Sequence, residues 1–329
     1  MARCKLSIRL DHPERRYVAG DRITGYVDVV VDVATKCNGL SVTRLWQTHG
    51  RGNHASGGSQ SAVIHRGEWQ PGSYSYPFSL LCPHESPSYR GELLDVDWSI
   101  EARADLPWAI DPKAATDVHV ELRPDASVEL EPKVRERERL PVLASSFAIA
   151  FVVIGLLTLV GALVELEPLV LKFALLWNGL VAVVVWQLVE RRVARRAFRH
   201  LDIALERPSE GRLAAAISFR TRRTINAITA SFVVEEQVVS GTGTERKIHT
   251  HELHAVARRL DGAEAGSHVR RVEFELPDPR ELGWSFATSD NALRWYVAVD
   301  FDVAGWPDLR EELELAVRPK LPTADGPYR

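Results

Sequence analysis

The chain has 329 residues, 26% of them charged, with a formal net charge of −3. With basic residues clustering only around one central region, that balance argues against a nucleic-acid-binding protein. Three cysteines, Cys4, Cys37 and Cys82, are an odd number on distant segments, which fits small core thiols in a reducing compartment better than a disulfide framework.

From the first residue the pattern is that of strands. Met1 to Ile8 has no apolar leader or cleavage site and passes directly into alternation at Leu6, Ile8 and Leu10. A second alternating stretch runs from Ile23 to Val33 and a third from Leu40 to Thr48. Gly50 to Ser61, rich in glycine and polar residues, reads as a long unordered loop. Further strands are expected at Ala62 to Arg66, Gly72 to Leu81, Leu94 to Ala104 and Thr116 to Arg123. Short strands at this spacing with Gly and Pro punctuation point to an antiparallel sandwich over residues 1–130.

The middle of the chain changes character. Two apolar runs, at about 141–164 and 169–189, are joined only by Glu165-Leu166-Glu167-Pro168, and each is long enough to cross a hydrocarbon layer of roughly 30 Å as a helix. The expectation is a two-helix transmembrane hairpin within 131–199. Lys133, Arg135, Arg137 and Arg139 precede it, Arg191, Arg192, Arg195, Arg196 and Arg199 follow it, and the turn has no basic residue. That asymmetry places both termini and both flanking domains in the cytoplasm, with two spans in the inner membrane. Within the spans, Gly155, Gly161 and Gly179 offer close-packing surfaces, while Asn178 and Gln187 can hydrogen-bond a neighbouring helix. The basic flanks serve topology first, and anionic lipid headgroups are a second use for them.

Strands resume at Leu201 to Arg207, Gly211 to Arg220, Ile225 to Val239, Lys247 to Arg259, Ser267 to Leu276, Leu293 to Val303 and Glu311 to Arg318, followed by a flexible tail at 321–329. The two halves correspond: Tyr76 to Pro83 with Arg271 to Pro277, Asp97 to Ala102 with Arg294 to Val299, and Val120 to Pro124 with Leu315 to Pro319. Near-constant offsets of this kind indicate a tandem duplication with the hairpin in its linker, the second sandwich covering 200–320.

Three stretches carry a family resemblance. Val18-Ala19-Gly20-Asp21 before Ile23-Thr24-Gly25-Tyr26-Val27, then Cys37-Asn38-Gly39-Leu40, then Tyr76-Pro77-Phe78-Ser79-Leu80 before a Pro-containing loop, are similar to the N-terminal domain of arrestins and arrestin-like proteins. With the repeat, the resemblance spans nearly all of the chain outside the hairpin and linkers. It implies a mainly β protein, two arrestin-like immunoglobulin-type sandwiches that dock other proteins. The chain departs from the family in the long apolar insertion between domains, and neither the family's buried charged core nor its regulatory tail is placed here. Receptor and clathrin binding are therefore not carried over.

The cluster with most chemical content is His249-Thr250-His251-Glu252-Leu253-His254. Histidines at 249 and 251 share a strand face and could ligate zinc, but His251 and His254 are three apart on a strand, where a zincin needs them four apart on a helix. A solvated strand face is the expected reading, with no metal and no cofactor. Arg greatly outnumbers Lys and Met1 is the only methionine, a pattern of codon bias in a GC-rich genome that suggests a bacterial source. The functional expectation is a membrane-anchored, noncatalytic adaptor that binds protein partners, with self-association left open. An accessory subunit of a transporter or secretion complex, assembled through the hairpin, and a metal enzyme on the His249 cluster are the alternatives.

Overall fold

A computed structural model describes residues 4–82, 87–107, 110–133, 153–157, 160, 168–209 and 211–320. The first half runs β1 (Cys4–Leu10), β2 (Arg16–Val18), β3 (Arg22–Val31), β4 (Thr35–Gly50), β5 (Ser56–Trp69), β6 (Gly72–Leu81), β7 (Tyr89–Arg90), β8 (Leu94–Asp105) and β9 (Lys113–Glu121). Strand β10 (Ser127–Pro132) and helix α1 (Pro168–Arg195) follow. The second half runs β11 (Phe198–Ser209), β12 (Arg212–Thr221), β13 (Ile225–Ser240), β14 (Lys247–Ala263), β15 (Gly266–Glu275), α2 (Pro279–Leu282), β16 (Phe286–Ala287), β17 (Asn291–Val303) and β18 (Leu309–Lys320).

In the first half a sheet ordered β1-β3-β6 packs on a sheet ordered β2-β9-β8-β4-β5, with β7 added to β8. Alternation does the sorting: Ile23, Val27, Val29 and Val31 of β3 turn inward to meet Leu40 and Val42 of β4 and Trp98, Ile100 and Ala102 of β8. In the second half the order β11-β12-β15 faces β10-β18-β17-β13-β14, with β16 added to β17. Phe219, Phe232, Trp295 and Phe301 form the centre of that core. The strand order of the first sandwich thus recurs in the second, and β6 with β15, β8 with β17 and β9 with β18 hold equivalent places. One edge differs, because β2 joins β9 in parallel whereas β10 joins β18 antiparallel. Strand β10 therefore leaves the first sandwich and completes the second.

The glycine-rich stretch after Thr48 is mostly strand. Strand β4 continues to Gly50 and β5 begins at Ser56, so only five residues turn between them. Glycine at 57 reflects packing, since a Cβ there would lie 2.7 Å from the Trp46 ring. Composition signalled a loop where a large side chain needed a bare neighbour.

The transmembrane hairpin is not supported. Among the described residues no helix is long and apolar enough to cross a membrane, which removes the two spans and the inner-membrane placement built on them. Residues 141–152, 158, 159 and 161–167 lie outside the described set, as do Arg135, Arg137, Arg139, Gly161 and the tail at 321–329. The C-terminal end of α1, taken from sequence as a basic membrane flank, is a docking contact with the second sandwich. Ala194 is buried, Val193 O accepts from Trp306 Nε1 at 2.8 Å, and Arg195 pairs with Glu311 at 3.2 Å. Counting charges beside an apolar run cannot reveal that a charge has a protein partner.

Candidate functional site

The two sandwiches meet along a seam formed by the β4–β5 turn and residues 88–96 on one side, and by the end of β13 and residues 283–293 on the other. Glu236 is its centre. In β13 the run Val233-Val234-Glu235-Glu236-Gln237-Val238 places Glu236 opposite Leu293 and His251, facing the first sandwich rather than water. It is fully buried, and its carboxylate accepts from Tyr89 Oη at 2.6 Å, Leu93 N at 2.7 Å and Glu92 N at 3.2 Å. All of these donors come from the other sandwich. Burial, reinforced by the adjacent Glu236 carboxylate, pushes the Tyr89 phenol far above its ordinary value, so at neutral pH the hydroxyl keeps its proton and donates it to Glu236.

Asn53 and Asn291 hold the other end of the seam. Asn53 uses its side chain as a peptide would, donating to Gly241 O and accepting from Gly241 N, both at 3.0 Å, while its own N–H donates to Val239 O at 2.7 Å. Asn291 Nδ2 donates back to Asn53 O at 2.7 Å and to Thr48 Oγ1 at 3.1 Å. Between these polar contacts lies an apolar strip in which Leu94 and Val96 meet Val238, and Trp46 meets Phe286 edge-on with ring centroids 5.5 Å apart. Beyond it, Arg280 donates to the carbonyls of Pro124 and Ala126 at 2.8 and 2.9 Å.

The surfaces approach so closely that side chains are excluded at three positions. A Cβ on Gly91 would fall on Glu236 Oε1, and one on Gly52 would fall on Asn291 Oδ1. One on Gly283, whose φ is +91°, would come within 2.5 Å of both Leu293 and the Tyr89 ring. Buried polar groups that are all satisfied, with close-packed backbone, fix one arrangement of the two bodies. At the mouth of the seam a cavity of about 320 Å³ remains, lined in part by Ser88, Tyr89, Val96, Trp284, Phe286 and Leu293.

The residues singled out from sequence are scattered by comparison. His249 Nε2 lies 3.0 Å from Ser240 Oγ, and His251 sits opposite Glu236 in the β13–β14 ladder. A bulge at Leu253 shifts the register, so His254 packs edge-on against Phe232 at 6.0 Å. Among the described residues no group of His, Cys, Asp and Glu is placed to hold a metal ion. Lys133 pairs with Glu314 at 3.1 Å, a carboxylate that burial alone would push up but that Lys133 and Arg294 hold below its usual range. Asn178 Nδ2 donates to Gly155 O at 3.0 Å, whereas a Cβ at Gly179 would meet nothing. Arg191 and Gln187 lie in α1, and Arg192, Arg196 and Arg199 are exposed. The reading from sequence missed Glu236, Asn53 and Asn291. One signal was present, a glutamate on the otherwise apolar inward face of a strand, in line with Ala230, Phe232, Val234 and Val238, but nothing local names its donors more than 140 positions away.

No protein-family model matches the chain, and no curated protein does. Among solved structures, the chain is similar to Spo0M, sporulation control protein, from Bacillus subtilis, at 12% sequence identity and a TM-score of 0.33, over 79% of this chain and 91% of that one.

Proposed function

We propose that this chain is a noncatalytic adaptor of the arrestin-like kind, whose two β-sandwiches act as one body that docks protein partners. The observation that carries the proposal is the seam, in which a buried carboxylate, paired asparagines and excluded side chains hold the sandwiches in one relative placement. Strands β4 and β13 supply seam residues, and their outer neighbours β5 and β14 end their sheets. Two long strand edges are thereby held in fixed register to each other, and an extended partner segment can add to such an edge through main-chain hydrogen bonds. A partner that uses both sandwiches binds the second at the effective concentration set by the first. A second copy of the chain is one such partner.

The test compares the intact chain with Glu236→Ala as bait. A partner bound by the intact chain should bind the variant at least about tenfold more weakly, the loss expected when two linked contacts become independent. Equal binding by the variant, or full affinity for one sandwich through a surface far from the seam, would refute docking as one body.

A further inference from the structure

The cavity at the mouth of the seam takes its walls from both sandwiches: Val96, Val120 and Leu122 on one side, Trp284, Phe286 and Leu293 on the other. Its volume of about 320 Å³ is that of a small-molecule site, and a junction between two domains is where such sites concentrate. An apolar cavity of roughly 150 Å³ holds one benzene ring, so this one has room for two fused rings or for one ring with a short substituent.

The hydroxyl groups of the lining are already bonded within the protein. Ser88 Oγ accepts from Val120 N at 3.0 Å, Tyr89 Oη donates to Glu236 at 2.6 Å, and Ser285 Oγ joins Leu315 O and Val317 N at 3.2 and 2.9 Å. Trp284 differs. It is only 6% exposed, yet among the described residues its indole N–H has no hydrogen-bond partner. A nearly buried indole N–H is ordinarily bonded, as those of Trp69 and Trp295 are. Charges in the lining offset one another, Arg90 and Arg280 against Glu121 and Glu281, so the cavity selects neither a cation nor an anion.

We infer that this cavity binds an uncharged aromatic group that carries a hydrogen-bond acceptor, of which a phenol or a naphthol is the simplest form. Trp284 supplies the donor, and the aromatic and aliphatic walls cover the ring. Because those walls belong to both halves of the chain, an occupant binds the closed seam in preference to any state in which the sandwiches part, and so tightens the seam. The site is separate from the strand edges and stands whether or not those edges dock partners. The same chemistry can arrive as a free compound or as a tyrosine side chain of a partner.

The experiment is calorimetric titration of the full chain with 2-naphthol and with naphthalene, which keeps the rings and lacks the oxygen. One equivalent of 2-naphthol should bind per chain. In Trp284→Phe the ratio of 2-naphthol affinity to naphthalene affinity should fall by roughly five- to tenfold, the loss of one hydrogen bond. Leu122→Trp, which fills the cavity from the opposite wall, should abolish binding of both while the chain still unfolds cooperatively. At ten times its dissociation constant, 2-naphthol should slow hydrogen exchange at the Glu92 and Leu93 amides about tenfold. A capped Gly-Tyr-Gly peptide that binds at least as tightly as p-cresol upholds the site and assigns it to a partner's side chain, whereas binding of p-cresol without the peptide upholds it and assigns it to a free compound. Absence of saturable 2-naphthol binding, an affinity ratio unchanged in Trp284→Phe, or full binding by a folded Leu122→Trp chain would overturn the inference.

Discussion

Removing the Glu236 carboxylate is the sharpest perturbation of the seam. Glu236→Ala leaves Tyr89 Oη, Glu92 N and Leu93 N without the acceptor that the fully buried carboxylate supplies. Hydrogen bonds to a charged group contribute about 1.5–3 kcal/mol each, and an orphaned buried donor costs about 1–3 kcal/mol. The variant can relieve part of that cost by letting water enter, so a net loss of about 3–6 kcal/mol at the seam is expected rather than the full sum. Glu236→Gln should be milder, at about 1–2 kcal/mol. Its amide oxygen can still accept from the two backbone amides while its NH₂ donates to the Tyr89 oxygen. Tyr89→Phe, which deletes one donor and leaves the backbone pair, should fall in the same range. The assay is hydrogen exchange on peptides that contain Glu92 and Leu93. Their amides should exchange at least a hundredfold faster in Glu236→Ala, while amides of the core strands β8 and β17 stay protected, because the seam opens before either sandwich unfolds. Unchanged protection at residues 92 and 93 would refute the reasoning, and so would simultaneous loss throughout β8.

Three further outcomes follow from the same structure. Gly52→Ala should loosen the other end of the seam by about 1–3 kcal/mol, the usual cost of overpacking a close-fitted site, with faster exchange at Asn53 as its readout. The cysteines should resist alkylation at neutral pH until the chain unfolds, since burial raises the Cys37 thiol to about 11 and the Cys82 thiol to about 12. Because those folded values exceed the ordinary thiol value of 9.0, the stability held by the protonated thiols is complete below about pH 9. It is lost as pH rises toward 11 and 12, which a pH series of denaturant melts in native and Cys82→Ala chains can check. Replacing His249 and His251 with alanine should change stability by less than about 1 kcal/mol, with no metal released on elemental analysis. A stoichiometric ion that disappears in that variant would revive the metal-enzyme reading.

Strand positions were legible because period-two alternation is a local property: Ile23 to Val31 and Ile225 to Val239 reveal which side chains turn inward without reference to any partner. The hairpin at 141–189 was misjudged because apolar length and nearby charge carry no information on what the helix end packs against, as Trp306 on Val193 and Glu311 on Arg195 show. The stretch from Gly50 to Ser61 was misjudged because Gly52 and Gly57 make room for Asn291 and Trp46 respectively, and a glycine required by a neighbour looks the same in sequence as one in a mobile loop. The seam itself was illegible, since Glu236, Asn53 and Asn291 acquire meaning only when strands from opposite halves of the chain are brought into contact.

The central claim, that the seam holds two sandwiches as one body, is tested most directly by a distance distribution between spin labels on exposed Ser73 of β6 and exposed Ser267 of β15, each replaced by cysteine. The native thiols are buried and should not take label. A single narrow distance is expected in the intact chain, broadening in Glu236→Ala. A broad or two-peaked distribution in the intact chain would contradict the claim.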